Sequence, residues 1–392
     1  MKQLFSSLTA LLLASSSLFA VYAPIPIQEQ GKALTFSIDA GGYYDSNIFG
    51  SETTPVQSYV AEINGRLTAN YSLTDQTFLS AYYDLEYLYL ENRPGDKNLF
   101  NNRLGASVDH TFSPTMFLSV SDDFSLIQNP DSAIIASAPL QTDQSYLGNV
   151  FDIAFTMQVL EKLALVNKYR NYYINYDDSN LAQQLDRMEH LYGLELDYQY
   201  LPEWTIVGEY RFKYNDYRNN APPKNSASNF LLAGFDYQFL EQLTLLARVG
   251  VDFRDRDSAP EETSPYGELT AVYQLGERSF VSGAFTYGIF ETSDTTQFLD
   301  SEDAIFIVNS EVFVTDFIAL SGSVLFQYSQ LQGRGGIPDA DERTVRTGLG
   351  VSYLPTPNWA VIANYDYDFI NSDVPGRSQV RNRIGLSGRY TF

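Results

Sequence analysis

Residues 71–90 read YSLTDQTFLSAYYDLEYLYL, and their reading decides the fold. A short polar turn leads into a run in which Leu79, Ala81, Tyr83, Leu85, Tyr87 and Tyr89 alternate with Ser80, Tyr82, Asp84, Glu86, Leu88 and Leu90. Period-two alternation makes a β-strand with two unlike faces. One face is aliphatic in the middle and aromatic toward one end; the other carries carboxylates. A soluble sandwich would bury the first face against a second sheet, whereas a membrane barrel shows it to lipid and turns the carboxylates into a wet lumen.

The turn recurs along the chain. Short connections stand at 72–76, 112–115, 159–162, 201–204, 240–242, 275–278, 314–317 and 354–359, each flanked by alternation. Between them lie longer segments rich in Gly, Pro, Asp and Asn, at 46–57, 91–99, 127–144, 177–186, 217–227, 255–264, 291–303, 329–342 and 371–379. Eight short turns alternating with nine long loops predict about eighteen strands with both termini on the short-turn side. The predicted class is all-β, a transmembrane antiparallel up-and-down β-barrel over residues 33–392.

Facing residues repeat the opening pattern. Leu243, Leu245, Ala247, Val249, Val251 and Phe253 share one face of a strand, and Thr244, Arg248, Asp252 and Arg254 the other. Val361, Ala363, Tyr365, Tyr367 and Phe369 stand against Asn364, Asp366 and Asp368 in the same way. A dry interior could not take so many ionised groups, because burying each alone costs several kcal/mol. The charged face must be wet. A β-propeller would fill each repeat with four short strands rather than two long ones. A secreted sandwich gives no reason for aromatics to gather near strand ends, and lipid headgroups do.

The first twenty residues, MKQLFSSLTALLLASSSLFA, have the layout of a secretory signal peptide: basic Lys2, an apolar stretch around Leu8–Leu13 and small residues up to Ala20. Residues 21–32 then form a short periplasmic lead-in. Beyond the leader no window approaches 18 uninterrupted apolar residues, so any membrane must be crossed by strands. The absence of cysteine removes thiol chemistry and thiolate metal sites. A formal charge of −23 argues against nucleic acid as a partner.

The chain ends on Ile384, Leu386, Gly388, Tyr390 and Phe392 in one parity. A last strand closing on a terminal Phe resembles the signal by which outer-membrane proteins engage the barrel assembly machinery, with Tyr390 and Phe392 as its residues. Near the start of the mature chain, DAGGYYDSNIF (39–49) runs a first strand into Asp45-Ser46-Asn47. This resembles the "putative β-barrel porin 2" family, whose members often open with such a strand end and continue in Tyr-rich hairpins. The resemblance implies a bacterial outer-membrane barrel in contact with lipid and lipopolysaccharide, sometimes associated with exopolysaccharide production, and carries no catalytic residues. Asp45 and Asn47 themselves read as loop-capping residues at a strand end.

Enzymatic barrels need a histidine beside a nucleophile or an activated water. The two histidines, His110 and His190, share the parity of outward residues and read as headgroup-level side chains. The acidic stretches DDSN (177–180), DSAPEE (257–262), DSED (300–303) and DADE (339–342) match no defined metal loop and read as solvated. No cofactor or metal ligand is expected.

Function should then reside in the lumen. Inward parity collects Arg66, Arg103, Lys168, Arg170, Arg211, Lys213, Arg248, Arg346, Arg383 and Arg389, facing Asp84, Glu86, Glu195, Asp197, Asp366 and Asp368. Inward aromatics include Tyr82, Tyr172 and Tyr266. Opposite charges across a pore orient polar solutes; the same groups could equally neutralise one another between strands. The loop 127–144 has an apolar centre with Pro130, Ile134, Ile135 and Pro139, a candidate constriction. The sequence therefore predicts an outer-membrane porin-like channel for passive diffusion of small hydrophilic solutes. A barrel with a closed pore, serving exopolysaccharide secretion or surface interaction, is the alternative.

Overall fold

The structure, a computed structural model, describes residues 32–128, 145–218, 224–239, 242–257, 259–276, 278–292 and 297–392. The leader, nearly all of the lead-in, and Pro130, Ile134, Ile135 and Pro139 lie outside the described residues. From the short-turn side the chain rises through β1 (Leu34–Asp45), descends through β2 (Ser58–Thr74) and rises again through β3 (Thr77–Leu90). The zigzag continues through β4 (Asn98–Ser113), β5 (Met116–Ile127), β6 (Tyr146–Leu160) and β7 (Leu163–Tyr176). A helix, α1 (Ser179–Leu185), interrupts the connection to β8 (Arg187–Leu201) and β9 (Trp204–Tyr217). Next come β10 (Ser226–Phe239), β11 (Leu243–Arg256), β12 (Ala259–Gln274) and β13 (Phe280–Glu291). The last five are β14 (Phe298–Thr315), β15 (Ile318–Gly333), β16 (Ala340–Thr356), β17 (Trp359–Ser372) and β18 (Gln379–Thr391).

All eighteen belong to one antiparallel sheet in chain order, and β1 pairs with β18, so the sheet closes into a barrel. The seam runs from Ser37↔Thr391 to Asp45↔Arg383. Closure leaves no strand edge for lipid to meet, which is the condition for a β-structure to span a bilayer. At the short-turn end of the seam, Phe36 stacks on Phe392 with centroids 5.2 Å apart, and Trp359 lies 4.9 Å from Tyr390. The terminal residues expected to carry the assembly signal thus also finish the wall.

The outward face is apolar. Ile63, Leu104, Ile206, Leu231, Leu269, Val324, Leu349 and Leu386 are exposed along its middle. Tyr71, Tyr200, Trp204, Phe239, Tyr273, Tyr353 and Trp359 form a belt beside the short turns. Outward asparagines do not break the apolar band, because a tyrosine on the adjoining strand covers each one named here. Tyr83 donates to Asn102 at 2.8 Å, Tyr87 to Asn98 at 2.8 Å, Tyr210 to Asn229 at 2.8 Å and Tyr365 to Asn382 at 2.8 Å. An amide left without such a partner in hydrocarbon costs several kcal/mol.

Three expected loops are shorter than the sequence suggests. Most of 255–264 is strand, because Pro260, read as a breaker, sits beside a register shift at Arg254/Arg256 where a missing N–H is tolerated. β14 begins within the expected loop 291–303, and β15 and β16 extend into 329–342. Within 177–186, Asp178 caps α1 by accepting from the backbone N–H of Asn180 and Leu181 at 2.9 and 3.0 Å. The helix buries Leu181 and Leu185 against Ile174 and Tyr176.

Candidate functional site

Every strand residue assigned to the lumen by parity faces inward. The registers explain why: Arg103 lies opposite Asp84, Arg211 opposite Gly193, Arg248 opposite Glu268, and Arg383 opposite Asp366, all on one side of the sheet. Tyr82, Tyr172 and Tyr266 point the same way. His110 and His190 point outward, where Nδ1 of each is hydrogen-bonded, to the Thr77 hydroxyl at 2.9 Å and the Tyr169 hydroxyl at 2.8 Å.

One wall of the lumen, from β6 to β12, is an ion-pair network. Lys168 lies 2.9 Å from Glu195, and Arg248 reaches Glu195 at 3.3 Å and Asp236 at 2.6 Å. Arg211 bridges Glu209 at 2.7 Å and Glu268 at 2.6 Å, and the Tyr266 hydroxyl donates to Glu268 at 2.8 Å. Lys213 joins Glu189 at 2.9 Å, while Arg170 holds Asp152 at 2.7 Å. Lys168 and Arg170 keep about a third of their side chains open to solvent, at 31% and 36%. These groups pair with neighbours and still line a wet space. Across β3 to β5 the Tyr82 hydroxyl reaches Asp123 at 2.5 Å over Gly105, where a Cβ would fall 2.2 Å from the Tyr82 ring.

Toward the long-loop end the inward face changes character and becomes a buried collar. Val60, Leu88, Leu90 and Leu99 cluster there; so do Phe298, Leu331 and Val374. Between them lie buried charges. Asp45 meets Arg381, Glu342 meets Arg377, and Arg254 and Arg256 share Glu291 and Asp300. Glu291 also accepts from Asn215 at 2.6 Å and from the Tyr217 hydroxyl at 2.5 Å. Asn215 and Tyr217 are on β9 and Glu291 on β13, four strands away, or about 19 Å along a flat sheet at the usual spacing. Contact over that interval means the wall curves sharply inward at this end.

The collar corrects two expectations. DSED (300–303) and the Glu342 end of DADE are not solvated: Asp300, Asp303 and Glu342 are buried. A register shift between Phe298 and Ser301 re-aims β14 so that both Asp300 and Asp303 face inward. Parity also missed the inward Asp39, Asp45, Glu62, Asp123, Glu189, Glu291, Arg187, Arg256 and Arg381. Several of these lie where alternation runs on past the expected strand ends, a signal the polar composition masks. Asp45 and Asn47 are the cap expected: Asn47 N–H donates to Asp45 Oδ1 at 2.9 Å, and the Asn47 amide bonds the Ser51 backbone at 2.8 and 3.0 Å.

A family profile described as "Putative MetA-pathway of phenol degradation" matches residues 263–384, from β12 into β18 and under a third of the chain. That profile is of an outer-membrane porin-like family. No curated protein matches the sequence. Among solved structures, the chain is similar to a BenF-like porin from Pseudomonas fluorescens Pf-5, with 9% identity, a TM-score of 0.49, and 92% of this chain and 99% of that one covered. It is also similar to OccAB4 of Acinetobacter baumannii, at 11% identity and TM-score 0.47, covering 94% and 100%. The siderophore receptor PirA from Pseudomonas aeruginosa aligns at 10% identity and TM-score 0.44, covering 95% and 81%.

Proposed function

We propose that the protein is a bacterial outer-membrane channel through which small hydrophilic solutes diffuse, exported by its leader and inserted through its C-terminal strand. The observation that carries this reading is the two-sidedness of the closed wall. Apolar residues dominate the outer face, while solvent-accessible ion pairs such as Lys168–Glu195 and Arg170–Asp152 line the inner one. Eighteen strands enclose more width than side chains of this size fill at the level of those pairs. The buried collar favours a second reading, a barrel closed at the long-loop end that opens only with a partner, as in polysaccharide export.

Single-channel recording of the refolded mature protein in a planar bilayer separates the two. Steady open steps without added partner support the diffusion channel. Silence from a barrel shown to be inserted supports the closed one.

A further inference from the structure

Two inward tyrosines lie against the wall because a glycine leaves them the room. A Cβ built on Gly105 would fall 2.7 Å from Cζ of Tyr82, and one on Gly288 would fall 2.9 Å from Cδ2 and 3.3 Å from Cε2 of Tyr266. Each ring thus fills the place that a side chain at the glycine would need. Tyr82 is on β3 and Tyr266 on β12, nine strands apart in a closed ring of eighteen, so the two seats face each other across the bore. We propose that Gly105 and Gly288 set the width of that bore, by seating Tyr82 and Tyr266 flat on opposite walls. The inference rests on the channel reading for its consequence, the size of solute that passes, and not for its geometry.

Each ring is tied along the wall as well as seated on it. The Tyr82 hydroxyl donates to Asp123 on β5 at 2.5 Å, passing over Gly105, and the Arg66 guanidinium lies 5.1 Å from the ring centroid. The Tyr266 hydroxyl donates to Glu268 at 2.8 Å and accepts from Arg211 at 3.3 Å. That guanidinium lies 5.8 Å from the Tyr266 centroid, and Phe230 meets the same ring edge-on at 5.2 Å. A hydroxyl bound to a carboxylate and a cation beside the ring both favour the position that the glycine permits. The same three parts, glycine, carboxylate and guanidinium, recur around both tyrosines although the strands that supply them differ.

The consequence for the lumen is steric. Laid along the wall, a phenol ring takes little more than its own thickness from the bore; tipped off it, the ring takes its full length. A methyl group on either glycine would force that tilt, because the ring has strand backbone beneath it and open lumen above. Tyr82 stands five residues from the short-turn end of β3 at Thr77 and Tyr266 eight from that of β12 at Gln274, so both act within the wall and below the collar. Side chains that fill or clear the interior decide what a barrel of given strand number admits.

The test is single-channel recording of the refolded barrel and its variants in a planar bilayer, with heat-modified mobility on gels to show that each variant is folded. Gly105→Ala and Gly288→Ala should each conduct less than the wild type. Gly193→Ala adds the same methyl to the inner wall where the nearest atoms stand 3.4 and 3.5 Å away, and should conduct as the wild type does. Conductance should return when Gly105→Ala is combined with Tyr82→Ala, and Gly288→Ala with Tyr266→Ala, since no ring is then left to tip. Unchanged conductance in both single variants overturns the proposal, as does a loss that persists in the double variants or appears equally in Gly193→Ala. A wild-type barrel that conducts nothing removes the channel reading and leaves the seats to be read by hydroxyl-radical footprinting. More oxidation of Tyr82 in Gly105→Ala than in the wild type then supports the seats, and equal oxidation overturns them.

Discussion

Arg381 on β18 grips Asp45 on β1 across the closure of the barrel, with Nη2 2.5 Å and Nε 3.0 Å from Asp45 Oδ2, and both side chains are buried. The two are 336 residues apart, yet the pair is diagonal by only two positions of the seam register. At the other end Arg389 holds Asp39 at 2.8 Å. Each end of the seam thus has its own clamp, and the collar clamp is the drier of the two.

Breaking the dry clamp should cost more than breaking the wet one. Asp45→Ala takes the carboxylate away from a buried guanidinium, and removing one partner of a buried pair costs about 3–5 kcal/mol. Asp39→Ala, at a pair that keeps 26% and 16% of its side-chain surface open, should cost less, about 1 kcal/mol. Denaturant unfolding of the refolded barrel in lipid or detergent measures both. Equal losses would contradict the difference in burial.

Glu291 joins β9, β11 and β13 at the mouth. Glu291→Ala should release the inward bend and raise single-channel conductance. Because the change also removes one of the two acids shared by Arg254 and Arg256, the milder pair Asn215→Ala with Tyr217→Phe is the better first variant. Conductance unchanged in both would place the narrowest point elsewhere.

Inward carboxylates added by the structure, among them Asp39, Glu62, Asp123 and Asp303, make the lumen acid-rich. The reversal potential in a salt gradient should therefore show preference for cations. Near 1 M salt, where the screening length falls to about 3 Å, the preference should largely vanish. Anion preference at low salt would refute the assignment.

The outward tyrosine hydroxyls make a separate prediction. Tyr210→Phe keeps the ring but leaves the Asn229 amide without its donor, at a cost of about 1–3 kcal/mol. Asn229→Leu alone should be far milder, and the double variant should recover most of the loss. Equilibrium unfolding of the three proteins tests this.

How far the sequence revealed this molecule depends on the distance over which each signal acts. Strand parity is local, and Tyr82, Asp84 and Glu86 faced inward as their alternation required. So did the turns, which Asp75-Gln76 and its counterparts mark within four residues. Asp300 and Asp303 were misread because an acidic run looks solvated until its partners are known: Arg254 and Arg256, which hold Asp300, stand more than forty residues away, and Gln327, which donates to Asp303, lies 24 residues on. The bulge that aims both acids inward is a backbone event with no side-chain signature.

The pairing of β1 with β18 divides the chain's contacts into two kinds. Every other strand pair joins neighbours along the polypeptide and can zip as the chain extends, but the seam must wait for the final residues. Its entropic cost grows only with the logarithm of the segment enclosed, whereas the search for it lengthens with contact order. Until it forms, β1 and β18 offer bare ladder edges and a charged inner face to the compartment in which the protein is assembled. The closing step is therefore the point of greatest exposure to aggregation, and the terminal Phe392, packed on Phe36, marks its completion.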